Sequence, residues 1–176
     1  MNRQVTADKI KLLVLDVDGT LTDSGVYYDD NGNELKKFST KDGTGFNIAH
    51  DAGMEIIVIT GRACNATKKR LEELKTDYIY QGVQKKALFL KDFMQEKGLT
   101  SENVGYIGDD LNDIPAMRMC GYVGCPADAA KEVKEIADYV SNIKCGHGAM
   151  RDCVENLLVI RGDRDEIIQK TIARYE

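Results

Sequence analysis

Apolar residues in this chain come in short, nearly unbroken runs, not in strict alternation. The runs from Ile10 to Leu15, Ile56 to Ile59, Val104 to Ile107 and Tyr122 to Cys125 each stop at a polar or glycine-bearing turn. A run of that length predicts a strand covered on both faces, as in a parallel sheet. Strands are expected at about Lys11 to Asp16, Met54 to Thr60, Asp77 to Tyr80, Val104 to Ile107, Gly121 to Cys125 and Tyr139 to Val140.

Helical patterns alternate with these runs. They cover about Phe46 to Ala52, Asn65 to Leu74, residues 85 to 97, Asn112 to Met119, Ala127 to Ala137, Met150 to Leu158 and Arg164 to Tyr175. Gly53 and Gly98 stand where left-handed C-caps would end two of them, and Pro115 fits a first helical turn. The order predicts an α/β fold: a doubly wound, Rossmann-like parallel sheet. One stretch departs from it. Gly25 to Phe38 places two β-prone runs around Asp29-Asp30-Asn31-Gly32, which predicts a small β-hairpin insertion. Val26, Tyr27, Tyr28 and Phe38 are more apolar than a solvated hairpin needs, so one face is expected against another subunit.

Length and charge narrow the class. A chain of 176 residues fits one domain, 1–176, with the hairpin at about 25–38 and a helical tail at about 150–176. A net charge of −5 gives no general affinity for nucleic acid, and no apolar run reaches membrane-spanning length. The polar start, Met1 to Asp8, lacks the apolar core of a secretory signal, so a cytoplasmic location is expected. The five cysteines show no C-x-x-C spacing and read as reduced thiols.

The chemistry gathers where strands end. Asp16 and Asp18 close the first run, followed by Gly19 and Thr20. Thr60-Gly61-Arg62 closes the second, Lys86 opens a helix, and Gly108-Asp109-Asp110-Leu111-Asn112-Asp113 closes the fourth strand. In a doubly wound sheet those ends converge on one crevice. Carboxylates are costly to bury unpaired, so such a group calls for a cation, a reacting centre or both. Several carboxylates suit Mg²⁺, while a lysine, a hydroxyl and glycine N–H groups suit a phosphate. Together they are the parts of a phosphoryl-transfer site.

These four segments, in this order, resemble the motifs of the haloacid dehalogenase-like phosphatases. The absence of a large cap insertion, Lys41-Asp42-Gly43, Gln81-Gly82 and Gly146-His147-Gly148-Ala149-Met150-Arg151 are similar to the capless 3-deoxy-D-manno-octulosonate 8-phosphate phosphatase group. The resemblance implies that Asp16 attacks phosphorus and forms an aspartyl phosphate. Asp18 would protonate the leaving oxygen and then activate water. Thr60, Gly61 and Lys86 would hold the phosphate. Asp16, the Asp18 main-chain carbonyl and Asp109 would bind Mg²⁺, with Asp110 and Asp113 supporting them from behind. Lys85 adjoins Lys86 and is the alternative phosphate ligand.

Arg62, Lys41, Asp42 and Gly43 are the candidate substrate contacts, Arg62 for a sugar-acid carboxylate. His147 stands where the group often carries arginine and reads as a loop residue. The resemblance further implies a homotetramer through the hairpin, a small sugar-acid phosphate as substrate, and a place in lipopolysaccharide synthesis. Alternatives are a nine-carbon, sialic-type 9-phosphate as substrate, a non-catalytic oligomerisation module of a cytidylyltransferase system, and a phospho-acceptor receiver domain. The intact Asp16, Asp18, Lys86 and Asp109 speak against the module, and Thr60-Gly61-Arg62 against the receiver.

Overall fold

The computed structural model describes residues 6–176; the first five residues of the expected polar lead-in lie outside it. Its strands are β1 (Leu12–Leu15), β2 (Tyr27–Tyr28), β3 (Glu34–Leu35), β4 (Glu55–Thr60), β5 (Tyr78–Gln81), β6 (Val104–Ile107), β7 (Tyr122–Cys125) and β8 (Tyr139–Val140). Its helices are α1 (Thr40–Asp51), α2 (Asn65–Glu73), α3 (Lys86–Glu96), α4 (Ile114–Met117), α5 (Lys131–Ile136), α6 (Ala149–Arg161) and α7 (Arg164–Ile172). Six strands form one sheet in the order β5-β4-β1-β6-β7-β8, and every pairing in it is parallel.

β1 shows why its sequence does not alternate. Successive side chains point to opposite faces, and here both faces are covered. Leu13 and Leu15 pack with Phe46, Leu71, Met150, Val154 and Leu157 from α1, α2 and α6. Leu12 and Val14 pack with Leu90, Phe93, Met117 and Val133 from α3, α4 and α5. An apolar residue is therefore required at every position, as a doubly wound sheet demands. The same register sets Leu15 beside Val58 on one side and Ile107 on the other. Residues following β1, β4 and β6 thus emerge along one edge of the sheet.

Helix α1 begins at Thr40, six residues before the expected start at Phe46. Ser39 caps it by accepting from the Lys41 N–H, and Gly43 and Gly45 lie inside the helix. These glycines are there for close approach. A Cβ on Gly45 would lie 2.9 Å from the Arg151 Cβ and 3.0 Å from the Met150 Sδ of α6. Two other helices are shorter than the pattern suggested: α4 spans only Ile114–Met117 and α5 only Lys131–Ile136.

The hairpin is slight. β2 and β3 pair over two residues each, Tyr27 with Leu35 and Tyr28 with Glu34, below a bridge between Thr22 and Phe38. Its loop is tied by Asp29, whose carboxylate accepts from the Asn31 and Asn33 N–H groups. Val26, Tyr27, Tyr28 and Leu35 are all exposed. Among the described residues, no helix is long and apolar enough to cross a membrane.

Candidate active site

The turn after β1 is built tightly. The N–H groups of Thr20, Leu21 and Thr22 all donate to the Val17 carbonyl. Gly19 adopts φ +89°, and a Cβ there would sit 2.0 Å from Asp109 Oδ2, so the turn can press against the end of β6 only with glycine at this point. Thr20 Oγ1 donates to Asp109 Oδ1 at 2.9 Å. Asp16 is 4% exposed and its N–H donates to the Ile107 carbonyl. The first and fourth motifs are thereby locked to each other.

Lys86, at the start of α3, reaches into this junction and is 2% exposed. Its ammonium lies 2.7 Å from Asp16 Oδ1 and 2.7 Å from Asp113 Oδ1. Lys85, the sequence alternative, is exposed. Asp113 is fully occupied: Oδ1 also accepts from the buried Tyr106 hydroxyl at 2.8 Å, and Oδ2 from the N–H groups of Asp109 and Asp110. Carboxylate oxygens of Asp16, Asp109 and Asp113 lie within 4.8 Å of one another.

Three carboxylates thus face one ammonium, an excess of two negative charges in a buried place. The consequence is strong proton affinity. Burial, then repulsion from Asp113, raises Asp16 to about 7 against the pull of Lys86. Burial, then repulsion from Asp16 and Asp113, raises Asp109 to about 8. A divalent cation fits such a group in charge and in donor chemistry, since all donors are hard oxygens. With its lone pairs directed to four donors, Asp113 is better suited to holding Lys86 than to meeting the cation.

Thr60 ends β4 and is 1% exposed; its Oγ1 accepts from the Arg62 N–H. The Gly61 carbonyl accepts from Gln84. Asp18 is partly exposed, and its carboxylate accepts from Lys36 of the hairpin. Arg62 stands at the rim, 3.1 Å from Glu34 Oε1 and within reach of the Tyr28 hydroxyl. Asp110 is exposed and accepts from the Leu111 N–H.

Asp42 is engaged elsewhere. Its carboxylate is buried and accepts from the N–H groups of Gly148 and Arg151 at the start of α6. Burial raises it to about 6 in spite of those donors. Its contacts are those of a helix anchor, and Gly43 sits against Arg70 and Leu74. Lys41 is exposed and lines a surface cleft with Gly148 and Arg151. His147 is exposed, with Nδ1 2.7 Å from the Cys145 carbonyl. Asp42→Ala is expected to lower the melting temperature by roughly 2–8 °C. The loss of such a cap costs about 1–2 kcal/mol, which in a chain of this size shifts the midpoint by ~2–4 °C per kcal/mol. Thermal denaturation followed by circular dichroism checks this, and an unchanged midpoint contradicts it.

Three participants escaped the sequence reading. Lys36 and Glu34 lie in a hairpin read only for its apolar side chains, and Tyr106 lies inside an apolar strand. The available signal was Tyr106, because a buried tyrosine hydroxyl needs a partner.

Residues 79–151 match the haloacid dehalogenase-like hydrolase family. The 3-deoxy-D-manno-octulosonate 8-phosphate phosphatase KdsC of Escherichia coli K12 is 39% identical over 160 residues, 91% of this chain and 85% of that protein. The chain belongs to the KdsC family of haloacid dehalogenase-like hydrolases. A second KdsC, from Haemophilus influenzae, is 35% identical over 90% of this chain and 88% of its own length. The crystal structure of the Moraxella catarrhalis phosphatase, in complex with magnesium, phosphate and KDO, superposes with a TM-score of 0.88 at 32% identity, covering 93% of this chain and 94% of that one. The six-stranded parallel sheet flanked by helices matches the fold of this solved structure.

Proposed function

We propose that the chain is a Mg²⁺-dependent phosphatase of a sugar-acid phosphate monoester, 3-deoxy-D-manno-octulosonate 8-phosphate. The observation that carries the chemistry is the Lys86 ammonium bridging Asp16 and Asp113 beside Asp109. The substrate rests on the 39% identity with KdsC of E. coli and on Arg62 at the rim, a cation suited to a sugar-acid carboxylate.

In the proposed reaction an Asp16 carboxylate oxygen attacks phosphorus. The ester P–O bond breaks, and Asp18 gives its proton to the leaving sugar oxygen. Asp18 then takes a proton from water, whose oxygen attacks the aspartyl phosphate; phosphate leaves and Asp16 is restored. Lys86 keeps Asp16 oriented and, with Thr60 and Gly61, holds the phosphate oxygens. Asp16, Asp109 and the Asp18 carbonyl would hold Mg²⁺, which when bound supplies the positive charge that offsets the anionic nucleophile and ester. Asp113, bonded to the Asp109 N–H and to Lys86, would support these ligands, as would the neighbouring Asp110.

The same reading takes 1–176 as one hydrolase domain, cytoplasmic, and a homotetramer. Tyr28 at 62% exposed, with Val26, Tyr27 and Leu35 beside it, supports the hairpin as the assembling surface.

The test is phosphate release from 3-deoxy-D-manno-octulosonate 8-phosphate and a nine-carbon sialic-type 9-phosphate, side by side with Mg²⁺ or EDTA. The eight-carbon ester is expected to lead in kcat/KM by about tenfold or more, a pocket difference of ~1.4 kcal/mol, and EDTA to stop release. A lead for the nine-carbon ester contradicts the substrate assignment; no release from either contradicts the chemistry.

A linked prediction concerns pH. Asp16 and Asp109 are raised above the ordinary carboxylate value, so the metal-free fold is favoured by protonation there. Stability from these groups is full at low pH and is lost as pH rises through about 7 and about 8. Mg²⁺ must displace those protons, so its affinity climbs over the same interval. The metal-free melting temperature is expected to fall as pH is raised to about 8.5, and the Mg²⁺-induced rise to grow. A Mg²⁺-induced rise that is flat with pH contradicts this.

A further inference from the structure

The proposed reaction leaves one enclosed cation unused. Lys36 follows β3 in the hairpin, and its side chain is 1% exposed, whereas the side chain of the adjacent Lys37 is 57% exposed. Its ammonium donates to Asp18 and lies 2.9 Å from Glu34 Oε1. Glu34 Oε1 in turn lies 3.1 Å from Arg62 Nη2. Asp18, Lys36, Glu34 and Arg62 form a row of alternating charge. The row ties the loop after β1, the hairpin and the loop after β4 to one another.

Lysine is seldom enclosed to this degree unless it is paired, and ordinary surface pairs contribute little. Apolar burial does not account for the position either, because Val26, Tyr27, Tyr28 and Leu35 around it remain exposed. Asp18 has the complementary need. Among the described residues Lys36 is the one side chain that holds its carboxylate. A group that must first give a proton to the leaving oxygen and then take one from water works only from a fixed direction.

We propose that Lys36 is a positioning residue for hydrolysis: it holds the Asp18 carboxyl toward the leaving oxygen, and Glu34 holds Lys36. This rests on the reading of Asp18 as acid and base. Lys36 itself neither gives nor takes a proton; the proton travels from Asp18 to the leaving oxygen as the P–O bond breaks, and returns from water.

The test uses the full chain with Mg²⁺ and two esters, 3-deoxy-D-manno-octulosonate 8-phosphate and p-nitrophenyl phosphate, whose leaving group needs no proton. Lys36→Met is expected to lower kcat on the sugar ester about 30-fold or more, with KM within about threefold. First-turnover release of p-nitrophenol is expected to fall less than about fivefold, because this group leaves without a proton from Asp18 and does so before the water step. Lys36→Arg recovers part of the loss, and Lys37→Met behaves as wild type. Equal losses on both esters, a loss confined to KM, or a Lys36→Met variant within about threefold of wild type overturns the proposal. If Lys36→Met shows no melting transition, Glu34→Gln carries the test: a weaker bias of the same kind supports the proposal and its absence overturns it. Failure of the phosphatase reading is separate, since wild type would then release phosphate from neither ester.

Discussion

Asp16→Asn is expected to abolish phosphate release while leaving a folded protein. The amide has no anionic oxygen to attack phosphorus, so the covalent route is closed; loss of a nucleophile in enzymes of this kind lowers kcat by roughly 10⁴-fold or more. The fold should tolerate the change for a reason visible in the charges. Asp16 lies in a buried group with two excess negative charges, and its raised proton affinity means that ionising it opposes folding. The amide removes one of those charges, and Lys86 keeps Asp113 as a partner. At about pH 8 the metal-free variant is expected to melt no lower than wild type, and above it if repulsion outweighs the lost ion pair. Steady-state phosphate release and thermal denaturation read the two halves. Residual turnover above roughly 1% of wild type contradicts Asp16 as nucleophile; a large fall in melting temperature contradicts the charge argument.

Lys86→Met is expected to damage both activity and stability, and the contrast with Asp16→Asn is informative. Lys86 is the one cation within 4 Å of Asp16 and Asp113 among the described residues. Methionine fills a similar volume but leaves three carboxylates without it. Removing one partner from a buried ion pair costs about 3–5 kcal/mol. For a chain of this length that corresponds to a fall of roughly 6–20 °C in melting temperature. The phosphate would also lose a ligand and Asp16 its orientation, for a fall in kcat/KM of about 10³-fold. Mg²⁺ should recover part of the stability, since it offsets the same charges, but little of the activity. A Lys86→Met variant that melts with wild type contradicts the account of the buried cluster. Lys85→Met is the matched control, because Lys85 is exposed.

The sheet was legible because its strands are covered on both faces, so that Leu12 to Leu15 had to be apolar at every position. The start of α1 was not legible. Gly43 and Gly45 look like loop residues in a string of letters, and only the Arg151 and Met150 side chains pressed against Gly45 explain a glycine inside a helix. The convergence of Asp16, Lys86, Asp109 and Asp113 was legible from their places at strand ends and helix starts. Lys36 was not. It and Lys37 are chemically identical neighbours, and only the geometry of the hairpin decides that one meets Asp18 while the other faces solvent. Asp42 was misleading in the opposite sense, since a carboxylate beside candidate substrate contacts serves instead to anchor α6.

In the proposed reaction phosphate passes through a covalent bond to Asp16. The most direct measurement is rapid-quench mass spectrometry of the Asp18→Asn variant mixed with Mg²⁺ and p-nitrophenyl phosphate, whose leaving group needs no proton from Asp18. That variant lacks the group that activates water, so the adduct should build up. One added phosphoryl group is expected on the peptide that contains Asp16, absent when Asp16→Asn is combined with Asp18→Asn. A phosphoryl group on any other residue, or turnover of the sugar phosphate with Asp16 replaced, would contradict this route.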